Sequence, residues 1–403
     1  MEPETLRAEP QGEACEPETL AALICAECGR TAHWSPATWR CACGGPLEFA
    51  AWPPFDAAAV EPSQSGLWRY RSLLPLPPQA EPVTLGEGWT PLVAGEFDGL
   101  PVLWKLEFLN PSGSYKDRGI APLLTLLRAH GVRGVVEDSS GNAGAAVAAY
   151  AARAGMAATI FVPAHASPAK RAQISVYGAN IVPVPGPRLE ATRAAEGALT
   201  AEVAYASHVW QPVVLGGLRT LAWEIWEQMG CRAPDWLVAP VGQGTLLLGA
   251  QRGFRALHQA GLIECTPRLV AVQAARCAPL YAAWKLGLDH VPAVPGQPTL
   301  AEGIRIVQPV RGRQLLQAIR ESDGLVLTVG EEEIRSAQAA LARRGLYVEP
   351  TSAAPVAALA QLRERIVPGQ TIVVPLTGSG LKGSPTDRGN EWTGQRGNKD
   401  GLP

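Results

Sequence analysis

Between residues 102 and 376, short apolar runs alternate with stretches of helical periodicity, and this alternation restricts the fold more than any other feature of the chain. Runs at 102–106, 134–137, 158–162, 180–184, 236–241, 269–273, 325–329 and 371–376 have strand length and are bounded by turn residues. Between them, 117–130, 143–154, 168–177, 218–229, 245–258, 331–343 and 352–365 carry apolar residues at helical spacing. Short strands separated by helices build βαβ units, so the chain is predicted to be α/β with parallel sheets covered on both faces. Ligands of such sheets lie at the carboxyl ends of strands, where loops lead into helices.

A chain of 403 residues has room for two lobes and a small additional module. Residues 1–20 are acidic and proline-containing without apolar period and read as a disordered leader; 384–403 read as a disordered tail. Residues 51–83, rich in proline and aromatic side chains, read as a linker packed on the main body. A net charge of −2 with 18% charged residues provides no basic field for nucleic acid. Apolar runs fall short of the roughly 20 residues that a bilayer requires, and no secretory signal is visible, so no membrane partner and a cytoplasmic location are expected.

Cys25 and Cys28, then Cys41 and Cys43, form two closely spaced thiol pairs, each followed by glycine. Two such knuckles complete a tetrahedral sulfur shell, so residues 21–50 are expected to form a zinc-ribbon-like module, or the relic of one. Four protein ligands leave no open position, which would make the Zn2+ structural. Cys231, Cys265 and Cys277 are isolated among apolar neighbours and are expected in the core, with Cys15 in the leader.

Four loops carry the chemistry. In NPSGSYKDRG at 110–119, Lys116 stands where a loop enters a helix. There the positive end of the helix dipole favours a neutral amine able to add to an aldehyde. Taken alone, the same residues favour an ordinary solvated lysine. Ser139, Ser140, Gly141 and Asn142 open the next helix and suit a carboxylate, although a serine N-cap explains the two hydroxyls as well. Gly242, Gln243, Gly244, Thr245 and Leu246 open another and form a candidate phosphate cradle. This loop lacks the full dinucleotide fingerprint and a Walker lysine, so neither NAD nor ATP is favoured. Thr377, after the last strand, could hydrogen-bond a heterocycle nitrogen or simply form a turn.

Together these residues resemble the threonine synthase family, within the fold-type II group of pyridoxal phosphate enzymes that also contains threonine dehydratase. GEGWTPL at 86–92 looks like the family's GEGxTPL, 110–119 like NPTGSFKDRG, 139–142 like S(S/T)GN, and TGSGLK at 377–382 like TGHGLK. The cysteine knuckles also match a ribbon found in many members. The resemblance covers residues 86–382 and implies pyridoxal 5'-phosphate as cofactor. It implies a large lobe (84–115 and 209–383), a small lobe (116–208) and a homodimer. Lys116 would be the catalytic Schiff-base lysine and would move protons at Cα and Cβ. Asn142 would bind the cofactor 3-hydroxyl, 242–246 its phosphate, and Thr377 its ring nitrogen. Ser139, Ser140 and Gly141 would hold the carboxylate of an amino-acid substrate.

The expected reaction is O-phospho-L-homoserine plus water to L-threonine plus phosphate. In the segment at 208–220, however, Val214 stands where the family has its phosphate-gripping arginine, and His208 and Val209 replace an asparagine and a serine. Ser379 replaces the family histidine. TLAEGI at 299–304 is similar to the TIADGI of the dehydratases, so a threonine or serine ammonia-lyase is an alternative. A third is a non-catalytic paralogue that holds the cofactor, against which retention of Lys116 argues.

Overall fold

The computed structural model describes residues 22–164 and 168–383; the leader, including Cys15, and the tail lie outside the described residues. Strands β1 (Leu23–Cys25), β2 (Thr31–Ala32) and β3 (Leu47–Phe49) form a small antiparallel sheet. β4 (Leu92–Phe97), β5 (Leu100–Lys105), β6 (Gly134–Glu137), β7 (Ala157–Pro163), β8 (Asn180–Val184) and β9 (Val203–Tyr205) follow in the chain. The last strands are β10 (Trp236–Pro240), β11 (Arg268–Ala274), β12 (Leu325–Val329) and β13 (Ile372–Pro375). They assemble into a six-stranded sheet of order β12-β11-β10-β13-β5-β4 and a four-stranded sheet of order β8-β7-β6-β9.

Every pairing in these two sheets is parallel except β4 with β5. That edge strand is absent from the sequence reading, although Asp98 (φ 48°) and Gly99 (φ 78°) form the tight hairpin turn that joins it to β5. An Asp-Gly pair with two positive φ values matches the twist of the flanking strands, and it was the available signal.

The helices are α1 (Asp117–Ala129), α2 (Asn142–Ala154), α3 (Pro168–Val176), α4 (Arg188–Gly197), α5 (Pro212–Gln228) and α6 (Thr245–Gln259). After them come α7 (Pro279–Lys285), α8 (Gly312–Glu321), α9 (Glu331–Arg343), α10 (Pro350–Ala357) and α11 (Leu359–Leu362). The sequence reading lacks α4, α7, α8 and the three-residue β9. It also starts α5 six residues late, because Gly216 and Gly217 interrupt the apolar period. The helix expected at 352–365 is divided into α10 and α11. α1 buries Ile120, Leu123, Leu124 and Leu127 completely, each worth about 1.5–3 kcal/mol.

The small sheet is not an appendage: Leu23, Cys25, Leu47 and Phe49 belong to the same apolar cluster as α1, α2 and α5. Cys277 is buried as expected, but Cys231 and Cys265 are exposed. Cys231 has a left-handed backbone (φ 61°) just past the end of α5, where a chain reversal holds it at the surface. Residues 66–73 of the linker region pack as expected, burying Leu67, Trp68 and Tyr70. No helix among the described residues is long and apolar enough to cross a membrane.

A fully buried ion cluster locks α1 in place. Arg118 binds Glu107 through Nε (2.6 Å) and Nη2 (2.7 Å), and Glu224 through Nη1 (2.6 Å) and Nη2 (2.7 Å). Lys105 Nζ lies 2.9 Å from the same Glu224. Two cations meet two carboxylates, and Thr90 Oγ1 donates to Glu107 at 2.7 Å, so the charges are compensated and hydrogen-bonded. Paired cations hold Glu224 down at about 2 against the opposing effect of burial.

Candidate active site

Lys116 immediately precedes α1, at the carboxyl edge of the large sheet. Its loop is tied to the turn after β13. Tyr115 N donates to Thr377 O (3.1 Å), Ser379 N donates to Gly113 O (3.0 Å), and Ser114 bridges Gly378. Because β13 lies between β10 and β5, the last strand of the chain delivers Thr377 beside a loop some 260 residues earlier. Lys116 Nζ donates to the Tyr115 hydroxyl at 2.7 Å and lies 4.5 Å from the centre of that ring.

Lys116, Ser139, Ser140, Gly141, Asn142 and Thr377 line one cavity of about 1820 Å3, large enough for a cofactor and an amino acid together. Gly242, Gln243, Gly244 and Leu246 line it too; Thr245 does not and is buried at the start of α6. Gly141 is the N-cap of α2 and makes no side-chain cap, so the serine N-cap reading is replaced by an uncapped helix start facing the cavity. α6 likewise begins at Gly244 (φ 77°) with no side-chain cap, leaving backbone donors for an anion. A Cβ on Gly242 would lie 3.0 Å from Ile304 Cα and 3.1 Å from Gly303 O, so a side chain here would press residues 303–304 outward by a few tenths of an ångström.

These donors fit pyridoxal phosphate group by group: an amine for its aldehyde, a carboxamide for its hydroxyl, helix-start amides for its phosphate, and a hydroxyl for its ring nitrogen. Thr377 Oγ1 is 2.9 Å from Ser352 Oγ, which also accepts from Gly378 N at 2.8 Å. Asn142 Nδ2 donates to both oxygens of Glu349, at 3.1 and 3.0 Å, and both residues line the cavity. Sequence reasoning missed Ser352 and Glu349; the only local signal was the Glu-Pro start of α10.

Val214 does not reach the cavity; it is buried in α5 against Gly119. His208 does line it, and its Nδ1 lies 2.7 Å from Glu137 Oε1. Burial drives the Glu137 carboxyl well above its ordinary range, reinforced by neighbouring Asp138. Burial also pushes His208 well below the usual imidazole value, and the charges of Lys116 and Arg188 add to this.

The sulfurs of Cys25, Cys28, Cys41 and Cys43 converge within 4.8 Å of one another, and none of these residues lines the cavity. Four thiols at this spacing fit a tetrahedral metal ion. A Cβ on Gly45 would lie 2.8 Å from Cys25 Sγ, so the second knuckle closes tightly over the first.

Two parallel-sheet lobes, with a helix-capping lysine and an anion cradle on one cavity, define a pyridoxal phosphate enzyme of fold type II. The family profile "Pyridoxal-phosphate dependent enzyme" matches residues 83–378. Threonine synthase from Methanosarcina acetivorans is 34% identical over 377 residues, covering 90% of this chain and 93% of that protein. The Mycobacterium tuberculosis threonine synthase is 36% identical, covering 83% and 92%. Among solved structures, a T.th. threonine deaminase aligns with a TM-score of 0.64 at 29% identity, covering 73% of this chain and 94% of that one. Maize serine racemase, with a TM-score of 0.65 at 21% identity, covers 74% and 90% and shares the fold. The chain belongs to the threonine synthase family of pyridoxal phosphate-dependent enzymes.

Proposed function

We propose that this chain converts O-phospho-L-homoserine and water to L-threonine and phosphate, with Lys116 as its catalytic residue. The observation that carries this reading is the convergence of Lys116, Asn142, the α6 start and Thr377 on one cavity. Bound pyridoxal phosphate would supply an electron sink at the substrate Cα. Lys116 would hold the cofactor and then move protons at Cα and Cβ, with the Tyr115 hydroxyl keeping its nitrogen in place. Amides at the start of α2, beside Ser139, Ser140 and Gly141, would bind the substrate carboxylate. The residues 242–246 would bind the cofactor phosphate, and Asn142, held by Glu349, its 3-hydroxyl. Thr377, paired with Ser352, would give the ring nitrogen a neutral partner, which restrains the sink and favours elimination and replacement over transamination.

A second reading, an ammonia-lyase acting on threonine or serine, is favoured by the packing of residues 303–304 directly over Gly242 and by the likeness to threonine deaminase. Phosphate release from O-phospho-L-homoserine would support the synthase, and 2-oxo acid from L-threonine or L-serine the lyase. Silence on all three would favour a cofactor-holding paralogue. Replacement of Lys116 by Ala should abolish the cofactor absorbance near roughly 410–420 nm; an unchanged spectrum removes the assignment.

The cysteine cluster is proposed to hold structural Zn2+, completing a zinc-ribbon-like module over 21–50. The lobe division at 84–115 with 209–383 and at 116–208 is supported by the two sheets, each drawn from one of these sets. A homodimer, resting on the family resemblance, is the proposed assembly, and a cytoplasmic setting is the proposed location.

A further inference from the structure

Glu137 and His208 emerge side by side from the carboxyl edge of the small sheet, because β6 and β9 are parallel neighbours. Glu137 is wholly buried, and its Oε2 has no hydrogen-bond partner. Its other oxygen meets His208 Nδ1 at 2.7 Å, and His208 lines the cavity that contains Lys116. A buried carboxylate with one orphaned oxygen is unfavourable, whereas a protonated carboxyl donating to Nδ1 is not. Such a donor places the imidazole's own hydrogen on Nε2, which has no hydrogen-bond partner among the described residues.

The charged groups around the pair are Lys116 at the start of α1, Arg188 on α4, and Asp138 on the strand end itself. Asp138 is already occupied, accepting from Tyr205 (2.9 Å) and Thr192 (2.5 Å). The Arg188 guanidinium opposes a further positive charge until an anion arrives. We propose that His208 is the specificity-determining residue of this site. Its Nε2 hydrogen recognises an anionic oxygen, of the phosphate class, at the distal end of the amino-acid substrate, and Glu137 is its positioning residue. When that anion binds, the Glu137 O–H bond breaks and an N–H bond forms at Nδ1. Carboxylate and imidazolium replace two neutral groups with no net proton uptake. Arg188, which lines the same cavity, supplies the second cation.

The inference rests on the amino-acid chemistry proposed above, and the test separates the two. In the holoenzyme, His208→Ala and the milder His208→Gln should raise KM for O-phospho-L-homoserine at least about tenfold, the effect of losing a hydrogen bond to a charged group. Both should weaken, by a similar factor, a titration with inorganic phosphate followed by the cofactor absorbance. The apparent affinity for L-threonine, the product that lacks the phosphate, followed by the same absorbance, should stay within about twofold of wild type. Glu137→Gln keeps a neutral partner for Nδ1 but cannot release a proton, so it should retain part of the affinity and flatten the pH dependence of KM. Equal weakening for O-phospho-L-homoserine and L-threonine, or a phosphate titration unchanged in His208→Gln, overturns the proposal. A wild-type enzyme that makes only 2-oxo acid overturns the synthase reading instead, while a phosphate titration lost in His208→Gln still supports the anion site.

Discussion

Asp117, next to the amine, accepts from Ser112 N at 2.7 Å and from Ser112 Oγ, yet burial pushes its carboxyl up to about 7 against the pull of these bonds. In the unfolded chain the group titrates near 3.8. Between those values the folded protein keeps a proton that the unfolded chain has released, so stability falls as pH rises through this window. The slope reaches about 1.4 kcal/mol per pH unit. Asp117→Asn should remove much of that loss, measured as the difference in denaturant midpoint between about pH 4 and about pH 7. Glu137, shifted in the same direction, leaves a residual slope. An equal slope in both proteins would show that Asp117 is ionised in the fold. Lys116, Asn142 and Thr377 were singled out by the order of their loops and the family resemblance rather than one by one, and the structure brings all three to one cavity. Glu349 was not: its partner Asn142 is 207 residues away, and nothing near either residue signals the pairing.

At the scale of elements, the start of α6 depends on backbone that carries no side chain. Gly244→Ala would place a methyl 2.3 Å from Leu315 Cδ1 in a left-handed conformation (φ 77°). Gly261, beyond the end of the same helix, has φ 70° but nothing within 4 Å of a Cβ. Gly261→Ala should therefore lose about 1 kcal/mol, the conformational penalty alone. Gly244→Ala should lose about 1–3 kcal/mol more from overpacking, and should also weaken cofactor binding in a titration of the apoenzyme. Equal losses would mean that Leu315 moves aside freely. Helix α6 was legible from its periodicity and α8 was missed, although Leu315, Leu316 and Ile319 have the required spacing. Strand β9, with three residues, has too little pattern to read. It is specified by pairing with β6, a contact made some 70 residues away in the chain.

In the whole molecule the small cysteine sheet fastens to elements beside both larger sheets. Arg252 binds Glu48 (2.6 Å), and Arg311 donates to Leu47 O (2.9 Å) and to Val209 O (3.0 Å), next to His208. On the other side Trp39 packs edge-on against Tyr205, with ring centres 5.0 Å apart. Cys25→Ser should abolish the proposed metal binding and lower the thermal midpoint, because this sheet shares the main core, while leaving the cofactor absorbance largely intact. Loss of that absorbance would tie the metal to the active site. The α/β class and the glycine-bearing turns were legible in the sequence alone, since periodicity, turn chemistry and helix starts are set within a few residues, whereas Lys116 stood out only through the resemblance of its whole motif to a family. Only the tertiary structure decided that β13 enters between β10 and β5, that Arg118 is shared by Glu107 and Glu224, and that Glu137 backs His208. Such contacts join residues far apart in the chain, and each becomes favourable only once burial has removed the water that would otherwise compete for the same charges and hydrogen bonds.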